Sequence, residues 1–397
     1  GEAKALQTWD MGSFYNRKSC STVAGYDYGW LGCSIMNQTE REDYAQDGLQ
    51  PLSISYQNLR GIRKEWIYTP EEVQAKLDRE YTALYFSVGS GIIIGTKVYF
   101  LMYGGLKERH EDQSYCVTHG CSSYTQEQCN EADAPGMRSY KQLVNAIMVF
   151  NDNADDRPTF TITTVTPLTN WMGAEGRLMY NWVKDKAIIY TRSASWHTKL
   201  QIGFISLTPP HTIDWQLYSS ISRPGERGCD ANVVCPVKCV SGVYADAYPL
   251  TSNLDLVISA IHNDAYSRVS PRVVSATPES ITGYKDIYNN RQNADYTTTT
   301  CFMFGNDIWC LSIIEVPLGG GNKYSPIPYL YKLEANCPRQ SSWYTINQNT
   351  YFKAFRTIIE TIRSRIDTQN GVVTTPAPVA PNLGGERATP AATPQRT

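Results

Sequence analysis

The chain has 397 residues, a formal net charge of -2 and a sequence pI near 6.3. A balance this close to neutral, with no basic face, excludes nucleic acid as the main partner, because phosphate binding needs many uncompensated cations. The length allows one large core or two ordinary ones. Aromatic content of 12%, with 27 Tyr, exceeds what a core needs and points to tyrosine-rich strands and a carbohydrate- or protein-facing surface.

In chain order, the first distinctive stretch is Asn16-Arg17-Lys18-Ser19-Cys20-Ser21, two cations, two hydroxyls and a cysteine in one short segment. It reads as a donor-rich corner pinned by a disulfide, suited to an anionic or hydroxyl-rich ligand. Asn37-Gln38-Thr39 is a sequon, so Asn37 is a glycosylation candidate. The most apolar run, 92–103, is broken by Gly95 and Lys97 and reads as a hairpin. No run reads as long and apolar enough to span a bilayer and none reads as a signal sequence, so if the native protein is membrane-anchored, its anchor is expected outside this chain.

From Lys97 onward, β-branched and aromatic runs alternate with Gly, Pro, Asn and Asp punctuation: 98–103, 143–150, 160–165, 187–192, 200–207, 254–261 and 308–316. Many short strands with short connections predict an all-β sandwich, barrel or propeller, and no exact repeat chooses among these.

Eleven cysteines without a CxxC pair, beside five scattered histidines, predict a disulfide framework in an oxidising compartment and no metal site. Cys301 and Cys310 are equidistant from the Gly305-Asn306 turn, which predicts a cross-strand disulfide. Local pairing of the same kind is expected for Cys20 with Cys33, Cys116 with Cys129 and Cys229 with Cys239. Cys121 and Cys235 are left for one long-range bridge, and Cys337 for a partner outside the chain as given. Toward the carboxyl end, Tyr351, Phe355, Ile358, Ile359, Ile362 and Ile366 share one helical face, with Asn349 and Thr350 as candidate caps and Asn370-Gly371 as the stop. Residues 371–397 are Pro- and Thr-rich and predict an extended or disordered tail.

Several polar residues sit where strands are expected to end: Glu40, Tyr85, Tyr103, Glu175, Arg192, Arg268 and Tyr296. Together with the opening hexapeptide, Ser222-Arg223-Pro224-Gly225 and the run 242–250, they give the region 10–335 a pattern that resembles paramyxovirus attachment glycoproteins of the haemagglutinin-neuraminidase type. The ending from Ser341 is similar to that of the jeilongvirus branch.

The resemblance implies a six-bladed β-propeller head over 1–340, an extension with an amphipathic helix over 341–370 and the tail over 371–397. It implies a site where strand ends converge, with Arg192 and Arg268 as two members of an arginine triad gripping the carboxylate of sialic acid. It also implies Tyr296 as nucleophile and Glu175 as the base that draws off its proton. A phenol avoids the repulsion that a carboxylate nucleophile would meet, and sialidases are the glycosidases that use tyrosine. Lys18, Glu40, Tyr85 and Tyr103 match pocket positions, and Asn16 shapes the corner. The family's remaining triad arginine and its acid/base aspartate are expected upstream of the hexapeptide, where residues 1–15 hold Glu2, Lys4 and Asp10 but no arginine.

By resemblance, the function is a virion-surface head that binds a host receptor, a sialoglycan or a protein, and helps a viral fusion protein to act. The alternative is an exo-α-sialidase, and the sequence leaves the enzyme question open. Homodimers or tetramers on the virion and on the infected-cell plasma membrane, with the head outside, belong to the same expectation. No cofactor is expected, and the structural calcium of some such propellers has no evident place here.

Overall fold

The computed structural model of the protein describes residues 16–38, 48–107, 142–166, 173–181, 185–194, 199–216, 218, 221–223, 242–249, 256–261, 272–286, 295–304, 307–317, 324–333 and 344–346. The chain divides into two compact units. One, the amino-terminal unit, comprises Asp10–Leu217 and Ser222–Val243; the other comprises Gly1–Trp9, Tyr218–Ile221 and Tyr244–Thr397.

The amino-terminal unit begins with the antiparallel meander β1 (Arg17–Ala24), β2 (Tyr28–Ile35), β3 (Leu52–Asn58) and β4 (Arg63–Tyr68), paired in that order. In β3, Leu52, Ile54 and Tyr56 alternate with Ser53, Ser55 and Gln57, so the pleat sends the two sets to opposite faces. The apolar set joins the core, and the polar set is buried too, at 0–1% exposure, so this strand is covered on both sides.

A short helix α1 (Pro70–Gln74) follows. Thr69 accepts from the backbone N–H of Glu72 while the Glu72 carboxylate accepts from that of Thr69, a capping box with Pro70 in the first turn.

The second sheet contains β5 (Tyr81–Phe86), β6 (Ile92–Ile94), β7 (Lys97–Leu106), β8 (Gln142–Asn151) and β9 (Thr161–Thr164). Its order is β5-β7-β8-β9, with β6 also on β7. The expected hairpin is present, with Ile94 opposite Lys97 and Gly95 at φ 60° in the turn.

The third sheet is β10 (Gly176–Asn181), β11 (Lys186–Thr191), β12 (Gln201–Ile205) and β13 (Ile213–Gln216), again in chain order. The apolar run of β7 has a direct reason. Val98, Phe100 and Met102 pack with Trp30, Ile54, Phe86 and Phe150 on one side, while Tyr99 and Leu101 pack with Leu178, Ile189 and Ile205 on the other. A strand that packs against apolar clusters on both faces favours an apolar residue at each of these positions, and burying each Phe or Leu contributes about 1.5–3 kcal/mol. The second sheet is thus faced on both sides, a propeller-like arrangement of blades.

The other unit contains β14 (Tyr244–Ala245), β15 (Ala247–Pro249), β16 (Leu256–Ile261), β17 (Arg272–Ala276), β18 (Ile281–Asp286), β19 (Asp295–Phe304), β20 (Asp307–Pro317), β21 (Tyr324–Leu333) and β22 (Tyr344–Ile346). β15 to β18 form one meander; β14-β19-β20-β21-β22 form the other, with β14 parallel to β19.

Cys301 pairs with Cys310 in register and the disulfide is formed, as the position of the turn predicts. Cys20–Cys33 is formed as well. The pairings expected for Cys116, Cys121, Cys129, Cys229, Cys235 and Cys239, the odd Cys337, and the helix and tail after residue 346 lie outside the described residues.

Candidate functional site

The strand-end site of the amino-terminal unit is built on the turn that precedes β10. Asn145, a buried amide on β8, donates to the carbonyls of Met102 (3.1 Å) and Ala174 (2.9 Å) and so ties this turn to the second sheet. Gly176 N–H donates to Ser87 O (2.8 Å) and the Ser87 hydroxyl donates to Gly176 O (3.1 Å). Next to that clamp, Val88 is held at φ 74°, a conformation that β-branched residues rarely adopt and that only a well-anchored segment sustains.

Glu175 is fixed between these anchors, and the main chain of Arg192 donates to its carbonyl at 2.6 Å. Arg192 then directs Nη1 to Glu175 Oε1 at 2.6 Å and Nη2 to the Gly242 carbonyl at 3.0 Å. Both side chains of the pair retain 22% exposure, so the guanidinium is recessed yet reachable.

Burial alone would lower the Arg192 pKa. The charge and hydrogen bond of Glu175, helped by the Tyr103 and Tyr190 phenols, outweigh burial and raise it. A second cation stands beside it: Arg223 Nε donates to the carbonyl of Ser193 and, at 3.3 Å, to its hydroxyl. Burial first, and then repulsion from Arg192, lower the Arg223 pKa to about 10.

Gly242 completes the corner at φ 112°. A Cβ there would lie 2.6 Å from the Ser193 carbonyl, 3.1 Å from Arg223 Nε and 3.2 Å from Arg192 Nε, so only glycine fits. Two neighbouring guanidiniums held by fixed acceptors suit a planar anion such as a carboxylate, whose charge would relieve their repulsion.

Tyr85 and Tyr103 are register partners on β5 and β7 with ring centroids 5.4 Å apart. They are 0% and 4% exposed and pack with Met36 and Leu143 beneath the strand ends.

The hexapeptide leads into strand β1 and is not the separate corner expected, although its Cys20–Cys33 disulfide is formed. Ser19 adopts φ 50° at a bulge in β1, Asn16 accepts from the Met36 N–H (3.0 Å) through its carbonyl, and its side chain accepts from Arg17 (2.6 Å). Lys18 Nζ donates to the carbonyls of Asn37 (2.9 Å) and Gln38 (2.8 Å), holding the turn that carries the sequon.

Tyr296 belongs to the other unit, on β19 opposite Ile314, at a register shift between Tyr296 and Thr298. Glu40 and Arg268 lie outside the described residues.

Three further residues of the sequence motifs, Arg223, Gly242 and Asp246, hold fixed contacts that residue order did not announce. Asp246 is fully buried and accepts from the Tyr244 hydroxyl (2.7 Å), the Thr300 hydroxyl (2.5 Å) and the Cys301 N–H (3.1 Å), so it clamps β19 within its own unit. An aspartate amid apolar strand residues was the available signal for that clamp.

These blades and this recessed arginine–glutamate pair define an all-β, propeller-like protein with a polar strand-end site. Among solved structures, the chain is similar to the parainfluenza virus 5 hemagglutinin-neuraminidase ectodomain, with a TM-score of 0.62 at 22% identity over 80% of this chain and 69% of that one. A family model described as Haemagglutinin-neuraminidase matches residues 2–334, and the chain belongs to that family.

It is 36% identical over 334 residues to the hemagglutinin-neuraminidase of Sendai virus (strain Fushimi), covering 84% of this chain and 57% of that protein. It is 34% identical over 330 residues to that of Human parainfluenza 1 virus (strain Washington/1957), covering 83% and 56%. The chain therefore spans somewhat over half the length of these relatives.

Proposed function

We propose that this chain is the head of a virion-surface attachment glycoprotein that binds sialic acid-bearing glycans on the host cell and supports the action of a viral fusion protein. The observation that carries the reading is the Arg192–Glu175 pair seated on the Gly242 carbonyl, with Arg223 behind it. A recessed guanidinium already oriented by two acceptors matches what a sugar carboxylate requires, and family membership supplies the ligand class.

In this reading six blades close the head, and Arg268 and Tyr296 join the site. Lys18, Glu40, Tyr85 and Tyr103 shape it, with Asn16 at its corner. Glycosylation at Asn37, assembly into dimers or tetramers and exposure on the virion and the infected cell belong to the same proposal.

A second reading, sialidase turnover, is favoured by Glu175: a carboxylate at this position can accept the proton of a tyrosine nucleophile, for which Tyr296 is the candidate. Titration of the chain with a 3′-sialyllactose probe tests the binding, and the expected result is saturable binding that Arg192→Gln weakens by about tenfold or more. Undiminished binding by that variant would remove the site from the proposal. A fluorogenic sialoside assay, on this chain and on one extended at its amino end, tests turnover. Activity abolished by Tyr296→Phe supports the enzyme, whereas cell binding that survives desialylation of the cells points to a protein receptor instead.

A further inference from the structure

A cavity of about 300 Å³ opens in the amino-terminal unit on residues that take no part in the strand-end site, among them Tyr28, Tyr56, Asn58, Lys64, Asp152 and Asp155. The Tyr28 and Tyr56 rings stand 5.7 Å apart with a 32° tilt and line one side of it. Both rings are held in place, because Trp30 packs edge-on against Tyr56 at 5.1 Å, donates to Asp152 at 2.9 Å through its indole, and shares that carboxylate with the Tyr28 hydroxyl. Burial, followed by the bond to Asp152 and its charge, pushes the Tyr28 phenol above its usual pKa, so it stays a donor.

Asn58 is fixed by accepting from the N–H groups of Arg60 and Ile62, each at 3.0 Å. Lys64 gives one ammonium hydrogen to the Ala154 carbonyl at 2.6 Å and keeps two others. The Asp155 backbone is held by Asn153 at 2.8 Å while its exposed carboxylate stands at the rim.

We propose that this cavity binds a neutral hexose unit of a glycan. The lining is mostly polar and suits the hydroxyls of a pyranose, with Lys64 as donor and Asp155 as acceptor at its rim, while Tyr28 and Tyr56 supply the smaller apolar part. The volume lies at the small end of the range for ligand sites and fits one or two sugar rings. Two lining carboxylates against one ammonium disfavour an acidic sugar, which separates this ligand class from that of the strand-end site.

Saturation-transfer NMR on the intact chain tests this with methyl β-D-galactopyranoside, methyl α-D-glucopyranoside and, as anionic comparator, methyl β-D-glucuronide. The expected result is transfer to the ring protons of at least one neutral glycoside at millimolar concentration, about fivefold weaker transfer to the glucuronide, and loss of transfer in Asp155→Ala and in Lys64→Ala. Transfer should persist in Arg192→Gln, which leaves this cavity untouched. No transfer to either neutral glycoside, or transfer that both cavity variants leave unchanged, overturns the proposal. Asp155 is exposed in a turn, so its variant retains the fold, and an unaltered thermal melt checks this.

Discussion

The second sheet of the amino-terminal unit and the β14–β22 sheet of the other unit hold their central strands by different means. β7 is apolar on both faces and is positioned by packing, through Phe100 against Phe86 at 5.1 Å and against Phe150 at 6.1 Å. β19 carries the run Thr297-Thr298-Thr299-Thr300, which supplies shape and β propensity but little apolar area. Its place is set instead by the buried Asp246 carboxylate, which engages Thr300 and Cys301, and by the disulfide to Cys310. A central strand can therefore be fixed by a hydrophobic sandwich or by one buried acceptor. The second solution concentrates the stabilisation in a single residue.

Four experiments break or sharpen this contrast. Phe100→Ala should cost about 3–5 kcal/mol in denaturant unfolding, since the cavity it leaves is walled by other rings that cannot all collapse. A cost below about 1 kcal/mol would mean that packing does not fix β7.

Asp246→Ala should cost on the order of 3 kcal/mol, because it strands two hydroxyls and one N–H in the interior. Asp246→Asn, which keeps one acceptor oxygen, should cost less, and both should lower hydrogen-exchange protection at the Cys301 amide. Unchanged protection would discard the clamp.

Gly242→Ala should cost about 1–3 kcal/mol through its left-handed φ and the contact with Ser193. It should also weaken sialoside binding, because the carbonyl that seats Arg192 must move; retained affinity would separate Gly242 from the site.

The smallest effect concerns His211, which is fully buried with Nδ1 2.8 Å from the Ser206 carbonyl. Burial lowers its pKa, partly offset by that hydrogen bond. The unfolded chain therefore binds a proton that the folded chain resists, so the contribution of His211 to stability is complete above the ordinary histidine pKa. It declines as pH falls from there toward the folded value. Thermal melts between neutral and mildly acidic pH should show that decline, and His211→Gln should flatten it.

Parts of this were legible from residue order. The break at Gly95 and Lys97 marked the hairpin, and the spacing about Gly305-Asn306 marked the Cys301–Cys310 bridge, because both are local geometry. The first sheet was harder to read. In β2 the apolar Trp30 and Leu31 are interleaved with Gly29, Gly32 and Ser34, and in β3 Ser53, Ser55 and Gln57 are buried although polar, so neither strand has the unbroken apolar run of β7. The capping box at Thr69 was readable from Thr-Pro-Glu-Glu yet carried no functional weight. Glu175 and Arg192 could be named as strand-end residues, but their contact could not, since the closing turn is held by Asn145 and Ser87 from the neighbouring sheet.

By itself the sequence determined the all-β class, the local hairpins and the residue types able to grip a carboxylate, since each depends on neighbours a few positions apart. Only the tertiary structure decided that Arg192 would lean on Glu175 and on a glycine carbonyl fifty positions away, with Arg223 beside it. It likewise decided that Asp246 would serve as a strand clamp. Such contacts arise from packing between sheets, and nothing in the order of residues specifies which distant backbone groups that packing will bring within hydrogen-bonding range.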